Sequence, residues 1–217
     1  MNIEIARSLR PSRSCCAPLF LAAAIFAACS SETTGSSSGS SATDAGTTLD
    51  SATGGDAAAD VAKPAFALGS KTIVDGETMP SEYTCDGADT HPDLAWTEGP
   101  EGTKSYAIVF NDTTLKFLHS SVFDIPKDVF VLPLGLEKKA EPSVPAGAKQ
   151  SKNYKGANGY TGPCPPNGED LYEFVLYALD VDKLAEVTTA STVKQVDAAV
   201  KAHSLGSVRL TAKYKKK

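Results

Sequence analysis

Residues 172–180 read YEFVLYALD, and this stretch decides the fold class. Its side chains alternate between two faces, and both faces are apolar: Tyr172, Phe174, Leu176 and Ala178 share one, and Val175, Tyr177 and Leu179 share the other. A strand with apolar residues on both faces is typical of a strand that is covered on both sides. The stretch therefore predicts a central strand between two layers.

Three further runs have the composition of short strands, at residues 105–111 (SYAIVFN), 120–125 (SSVFDI) and 208–214 (VRLTAKY). Residues 191–203 (STVKQVDAAVKAH) instead repeat valines at helical spacing, with Ser191 or Thr192 as the N-cap and Gly206 just past the end. We expect a mainly β fold, an antiparallel two-sheet β-sandwich with one or two short helices near the C-terminus.

The N-terminal part of the chain divides into two segments that precede the folded domain. Residues 1–28 have the layout of a signal peptide, in which arginines precede the apolar run APLFLAAAIFAA. Residues 29–63 are rich in Ser, Gly, Thr, Ala and Asp and contain no aromatic residue. Such a composition buries too little apolar surface to offset its ordering entropy, so we expect a flexible tether. Residues 64–217 are long enough for one domain with one core.

Cys29 directly follows Ala27 and Ala28 at the end of the apolar run. This arrangement resembles the bacterial lipobox, with Phe26 where leucine is usual, and the resemblance implies that Cys29 is lipidated. We expect a lipoprotein of the bacterial cell envelope, anchored firmly through its acyl chains. Ser30 is compatible with the outer membrane, facing the periplasm or the surface. The alternative is plain secretion, with an incidental cysteine at the cleavage point.

Composition and motif spacing exclude several classes of function. The net charge of −5 and the absence of a basic stripe argue against a nucleic-acid partner. No Gly-x-Ser-x-Gly elbow is present and no nucleophile stands out, so we expect a protein that is not an enzyme. No Cys/His spacing suits zinc, and nothing in the sequence indicates a cofactor.

Five fragments, in this order, resemble the phosphatidylethanolamine-binding protein family, also called Raf kinase inhibitor-like, and especially its bacterial branch of the YbhB/YbcL type. They are YTCDGADTHPDLAW (83–96), PEGTKSYAIVFND (100–112), LHSSVFDIP (118–126), GYTGPCPP (159–166) and FVLYALDVDKL (174–184). The resemblance covers nearly all of the folded part. It implies a two-sheet β-fold with a small pocket at one end that accepts phosphate-like head groups.

The resemblance also places pocket residues on this chain. Asp112 matches the first Asp of the family's Asp-Pro-Asp motif, His119 the pocket His, and Tyr172 the Tyr of its His-Arg-Tyr motif. Gly162 and Pro163 fall in the backbone cradle of the pocket. His and Tyr side chains and glycine N–H groups are donors suited to phosphate oxygens, and Asp112 is expected to raise the cationic fraction of His119. The alternative for His119 is a purely structural role.

Two pocket positions depart from the family pattern. Phe117 stands where a Trp is expected, and Asp170 stands in place of the second His. A carboxylate at that position repels an anion, which favours a degenerate pocket or one suited to an amine or a neutral ligand.

Cys85 and Cys164 are the two cysteines of the predicted domain. The resemblance places their loops near the same end of the fold, and we expect a disulfide between them, as is usual in an exported domain. Two free buried thiols are the alternative.

Together these observations predict an exported, lipid-anchored binding module for a small polar or phosphorylated ligand. The alternative is a protein-interaction or inhibitor role with a protein partner and a degenerate pocket.

Overall fold

The computed structural model describes residues 63–217. The predicted signal peptide, Cys29 and the linker as far as residue 62 lie outside the described residues. Within residues 63–217, no helix has the length and apolarity required to cross a membrane.

The described chain forms two antiparallel sheets and one α-helix. In chain order the elements are β1 (Leu68–Gly69), a 3-10 turn (Ser81–Tyr83), β2 (Leu94–Trp96), β3 (Ser105–Asp112), β4 (Phe117–Pro126), β5 (Val131–Leu132), β6 (Lys149–Gln150), β7 (Glu169–Leu179), α1 (Val193–Ala202) and β8 (Ser204–Lys215). The small sheet has the order β1-β2-β5, and the large sheet has the order β6-β4-β3-β7-β8. The predicted mainly β, two-sheet fold is confirmed.

The large sheet is buried on both faces, as the pattern of residues 172–180 predicts. Between the sheets lies a core that includes Leu94, Trp96, Phe110, Phe174 and Leu176. A second core on the opposite face packs the sheet against α1 and includes Ala107, Phe123, Leu179, Val196 and Val200. The sheet therefore has apolar partners on both sides, which explains why β7 has no polar face in its central part.

Helix α1 begins where its sequence indicates but ends differently. Thr192 is the N-cap, its side chain accepts from the Gln195 N–H, and the Gln195 side chain accepts from the Thr192 N–H in return. Gly206 follows the helix end, as expected, but it does not cap the helix, because His203 is the C-cap and the chain enters β8 at Ser204. Gly206 instead pairs with Ala178 inside that strand.

A disulfide joins Cys85 and Cys164, with their Cα atoms 5.3 Å apart. The Cys85 N–H also donates to the Pro163 carbonyl at 3.0 Å. The predicted pairing is confirmed, and it ties the loop that follows the 3-10 turn to the loop that precedes β7.

We expect reduction of this bond to lower the free energy of unfolding by roughly 2–4 kcal/mol, because it releases a closure that constrains the unfolded chain. The closure spans 79 residues of sequence. Denaturant unfolding with and without reductant measures the change, and a double variant, Cys85→Ser with Cys164→Ser, should no longer respond to reductant. Peptide mass mapping that finds either cysteine labelled in unreduced, unfolded protein would contradict the bridge.

Candidate functional site

Four buried polar side chains meet at one end of the large sheet: Asp112, His119, Asp170 and Tyr172, each 4% exposed or less. Strand register explains the convergence, since Asp112 pairs with Tyr172 across β3 and β7, and Asp170 lies two residues earlier on the same face of β7. His119 projects from the neighbouring β4, and its ring centre lies 5.5 Å from that of Tyr172. The structure thus brings together four of the side chains that the resemblance places in the pocket.

The His119 ring is held in one orientation and one tautomer. Its Nδ1 lies 3.1 Å from the Thr161 carbonyl oxygen, which only accepts, so Nδ1 carries the proton and Nε2 is bare in the neutral ring. Aromatic rings surround the imidazole with centroid distances of 5.1–5.5 Å: Phe110, Phe117, Tyr154 and Tyr172. His119 therefore sits in a dry, mostly aromatic environment.

Burial lowers the pKa of His119 below its usual value near 6.5. The hydrogen bond to Thr161 and the charge of Asp112 act in the opposite direction, but they are smaller effects than the loss of water. The imidazole is therefore neutral at pH 7. Asp112 does raise the pKa of His119, as expected, but the expectation of a more cationic imidazole is wrong because burial lowers that pKa by more.

Asp112 and Asp170 form a pair of neighbouring buried carboxyl groups. The pKa of Asp170 is raised, first by burial and then by the charge of Asp112 and a hydrogen bond between the two side chains. Asp112 Oδ1 accepts from the Leu115 N–H at 2.8 Å, whereas Asp170 Oδ2 is buried with no hydrogen-bond partner among the described residues. The nearby charge of Asp112 therefore favours the protonated form of Asp170.

Tyr172 completes this cluster. Burial raises the pKa of its hydroxyl, and the charges of Asp112 and Asp170 raise the pKa further. A hydrogen bond to the Asp112 side chain acts in the same direction. The Tyr172 phenol is thus a fixed neutral donor that already faces a carboxylate.

The backbone cradle at Gly162 and Pro163 is present, but its donors and acceptors are already used. The Gly162 N–H donates to Asp89 Oδ1 at 2.6 Å, and the Pro163 carbonyl accepts from Cys85. A Cβ at position 162 would overlap the Tyr83 carbonyl oxygen, so the close approach of these two loops requires glycine. The Gly162 N–H, which was expected to donate to a bound anion, therefore donates to the carboxylate of Asp89 instead.

Phe117 lies at the rim of the cluster and is 40% exposed. Its ring meets Tyr154, itself 41% exposed, edge to face at a centroid distance of 4.9 Å. Both rings pack nearly at right angles to the His119 ring. They form a partly exposed aromatic cover over His119.

Sequence reasoning missed two contributors to this site. Asp89 lies inside a fragment that carries the family resemblance, but nothing in its spacing shows that its carboxylate reaches Gly162. Tyr154 stands just outside the loops rich in turn residues, and an isolated tyrosine gives no local signal. In the part of the chain that the structure describes, no cluster of three or more His, Cys, Asp or Glu side chains is arranged to hold a metal ion.

Comparison with known proteins places the described domain among relatives. Residues 69–215 match the sequence profile of the family described as "Phosphatidylethanolamine-binding protein". The chain is 36% identical over 152 residues to a UPF0098 protein of Aquifex aeolicus, covering 68% of this chain and 86% of that protein. It is 31% identical over 173 residues to LppC of Mycobacterium tuberculosis, a protein named as a candidate lipoprotein, covering 77% of this chain and 79% of LppC.

Solved structures of related proteins also place the described domain in this family. The crystal structure of Escherichia coli YbcL, described as a new member of the mammalian PEBP family, superimposes with a TM-score of 0.65 at 31% identity and covers 70% of this chain and 99% of YbcL. A PEBP homologue from Chlamydia trachomatis, CT736, gives a TM-score of 0.59 at 27% identity and covers 70% of this chain and 99% of that one.

Asp170→Asn should stabilise the protein at pH 7 and lose that advantage as the pH falls towards 4. The folded-state pKa of Asp170 is raised, so the contribution of Asp170 to stability is greatest at low pH and declines as the pH rises through that value, whereas asparagine is always neutral. Thermal unfolding from pH 4 to 8 measures the difference. Asp128→Asn, at an exposed position, controls for the loss of one negative charge. An Asp170→Asn advantage that does not depend on pH would show that Asp170 is not protonated by its surroundings.

Proposed function

Because the chain belongs to the phosphatidylethanolamine-binding protein family, we propose that it is an exported, lipid-anchored binding protein and not an enzyme. The pocket in this proposal is the cluster around His119, and its ligand is a small polar molecule with a phosphate-type head group. One observation carries the proposal: side chains from β3, β4 and β7 converge on His119, and two loops joined by a disulfide close the other side. Such convergence of buried polar groups is typical of a ligand site.

Anion binding in this pocket requires protonation of His119 and Asp170. Nε2 of neutral His119 has no proton to donate, and an ionised Asp170 repels negative charge. A bound anion favours the imidazolium and the protonated Asp170, so binding takes up protons. Affinity is therefore expected to rise as the pH falls from 8 to 5.

Access to His119 requires Phe117 and Tyr154 to move. Both rings are partly exposed and lie at the rim, where side-chain rotation does not disturb the core. The pocket is thus proposed to open at its aromatic cover while the disulfide-linked loops stay fixed.

Calorimetric titration with phosphoethanolamine, nucleotides and inorganic sulfate tests this function. Sulfate keeps its charge from pH 5 to 8, so any change in its affinity over that range comes from the protein. We expect stronger binding at pH 5, loss of binding in His119→Ala, and a smaller pH dependence in Asp170→Asn. Turnover of a generic ester that disappears in His119→Ala would contradict the non-enzymatic assignment.

A second candidate function is protein interaction or inhibition. The observation that favours it is the internal occupation of the cradle, where Asp89 already accepts from the Gly162 N–H. Failure of all three anion classes to bind at any pH would favour this alternative over the ligand-binding function.

Export and anchoring form a separate part of the proposal. A disulfide is typical of oxidising compartments outside the cytoplasm, and one relative is named as a candidate lipoprotein. Residues 1–28 supply the proposed signal peptide, Cys29 is the acyl acceptor, and Ser30 is compatible with the outer membrane of the cell envelope.

Metabolic labelling with radioactive palmitate should mark the full chain, and Cys29→Ala should abolish the label. The controls are Cys15→Ala and Cys16→Ala, which should remain labelled because both positions lie inside the proposed signal peptide. Label retained in Cys29→Ala would refute the lipobox assignment, even if the protein is still exported.

A further inference from the structure

A groove separate from the His119 cluster lies beside the N-terminal turn of α1. Its walls come from the turn between β3 and β4, from residues 152–156 and from the start of the helix. They include Lys116, Phe117, Lys152, Tyr154, Val193 and Lys194. Its volume is about 770 Å³, within the range of small-molecule sites in proteins. We refer to it as the α1 groove.

The α1 groove is positively charged in a protein whose net charge is −5. Lys116, Lys152 and Lys194 line it, and none of the three has a carboxylate within 4 Å among residues 63–217. The acidic residue on its wall, Asp197, accepts from Lys201 at 2.7 Å and is neutralised by that pair. The N-terminal end of the α1 dipole adds positive potential on the same side. The groove therefore has a positive local potential, although the net charge of the protein is negative.

Two aromatic side chains give the groove an apolar wall. Phe117 and Tyr154 line it with rings that are about 40% exposed, and Val193 lies at its base. The ammonium group of another lysine, Lys155, lies 5.4 Å from the centre of the Tyr154 ring. Apolar faces next to unpaired cations are complementary to a molecule that is both apolar and anionic.

The groove is held in place by hydrogen bonds that do not depend on a ligand. The Asn153 side chain accepts from the Lys155 N–H at 2.9 Å and donates to the Gly159 carbonyl at 3.0 Å, which fixes the loop. The Lys152 backbone joins that loop to the helix, donating to Ser191 and accepting from Val193. A preformed site of this kind loses little conformational entropy when a ligand binds.

The position of Lys116 also favours a role for its side chain. Its φ is 54°, in the left-handed region, where glycine or asparagine is favoured over lysine. The turn geometry therefore does not explain a lysine at this position. Its place on the groove wall gives the side chain a role in the charge of the groove.

We propose that the α1 groove binds a small amphiphilic anion, a molecule with an aromatic or aliphatic body and one carboxylate, sulfonate or phosphate group. The apolar body lies against Phe117 and Tyr154, and the anionic group lies between Lys152 and Lys194. This site uses neither the imidazole nor the Asp112–Asp170 pair, although Phe117 and Tyr154 border both the groove and the proposed pocket at His119.

The probe for this site is 1-anilinonaphthalene-8-sulfonate, an aromatic sulfonate, titrated by fluorescence with the folded protein. We expect saturable binding to one site, competition by decanoate, and weaker binding of N-phenyl-1-naphthylamine, which lacks the sulfonate. Lys152→Gln and Lys194→Gln should each weaken binding about twofold to fivefold, as expected for the loss of one exposed ionic contact. Lys213→Gln, on an exposed position of β8, is the matched control and should have no effect.

Several outcomes would overturn the proposal. They are absence of saturable binding, equal binding of the neutral probe, equal affinity in the Lys152→Gln/Lys194→Gln double variant, and equal weakening by the Lys213→Gln control. An acidic peptide that binds the groove when the sulfonate does not would also reject the small-molecule occupant. Near-UV circular dichroism verifies that each variant is folded, and the affinity for the aromatic sulfonate should lack the pH dependence expected of the His119 pocket, which separates this result from the test of the pocket.

Discussion

The contacts between residues 83–89 and residues 160–164 are the constraint on which the rest of the site depends. The Tyr160 hydroxyl donates to the Tyr83 carbonyl at 2.8 Å, Gly162 donates to Asp89 at 2.6 Å, and the disulfide closes the same pair of segments. Thr161 lies in the middle of this arrangement, and its carbonyl orients His119. The strands position the polar side chains, and the joined loops shield these side chains from solvent. Without that closure the imidazole would titrate near its usual value and the carboxyl pair would be solvated.

Loss of water sets the resting charge of the pocket. Burial favours neutral His119 and the protonated form of Asp170, so the cluster holds fewer charges than its composition suggests. A neutral resting pocket has a physical advantage over an ionised one, because an isolated buried charge is costly in free energy. The same environment makes the cluster sensitive to a charged ligand, because the binding of a charge changes the protonation of the neighbouring buried groups.

The sequence predicted the architecture well, and for an identifiable reason. The run at residues 172–180 is apolar on both faces because β7 lies between two cores, and periodicity records that environment directly. The convergence of Asp112, His119 and Tyr172 also followed, through a resemblance that carried their places in the fold. What the residues could not show was the pairing of Asp89 with Gly162 and the position of Tyr154 over His119. Both depend on distances between segments far apart in the chain, and neither leaves a periodic or compositional trace. The sequence does not reveal the charge of His119, because it shows one nearby carboxylate but not the extent to which the imidazole is buried.

Phe117 and Tyr154 belong to two environments at once, because they cover His119 and also line the α1 groove. Opening the cover over His119 must move these rings, and a molecule held against them in the groove resists that movement. Binding at the two proposed sites is therefore expected to be coupled through this shared wall, and any such coupling is reciprocal by thermodynamic necessity. The sign depends on the rotamer that each occupant selects, since a ligand shifts a conformational equilibrium only by its difference in affinity for the two states. Phe117, which stands where the family resemblance predicts a tryptophan, therefore forms part of both walls.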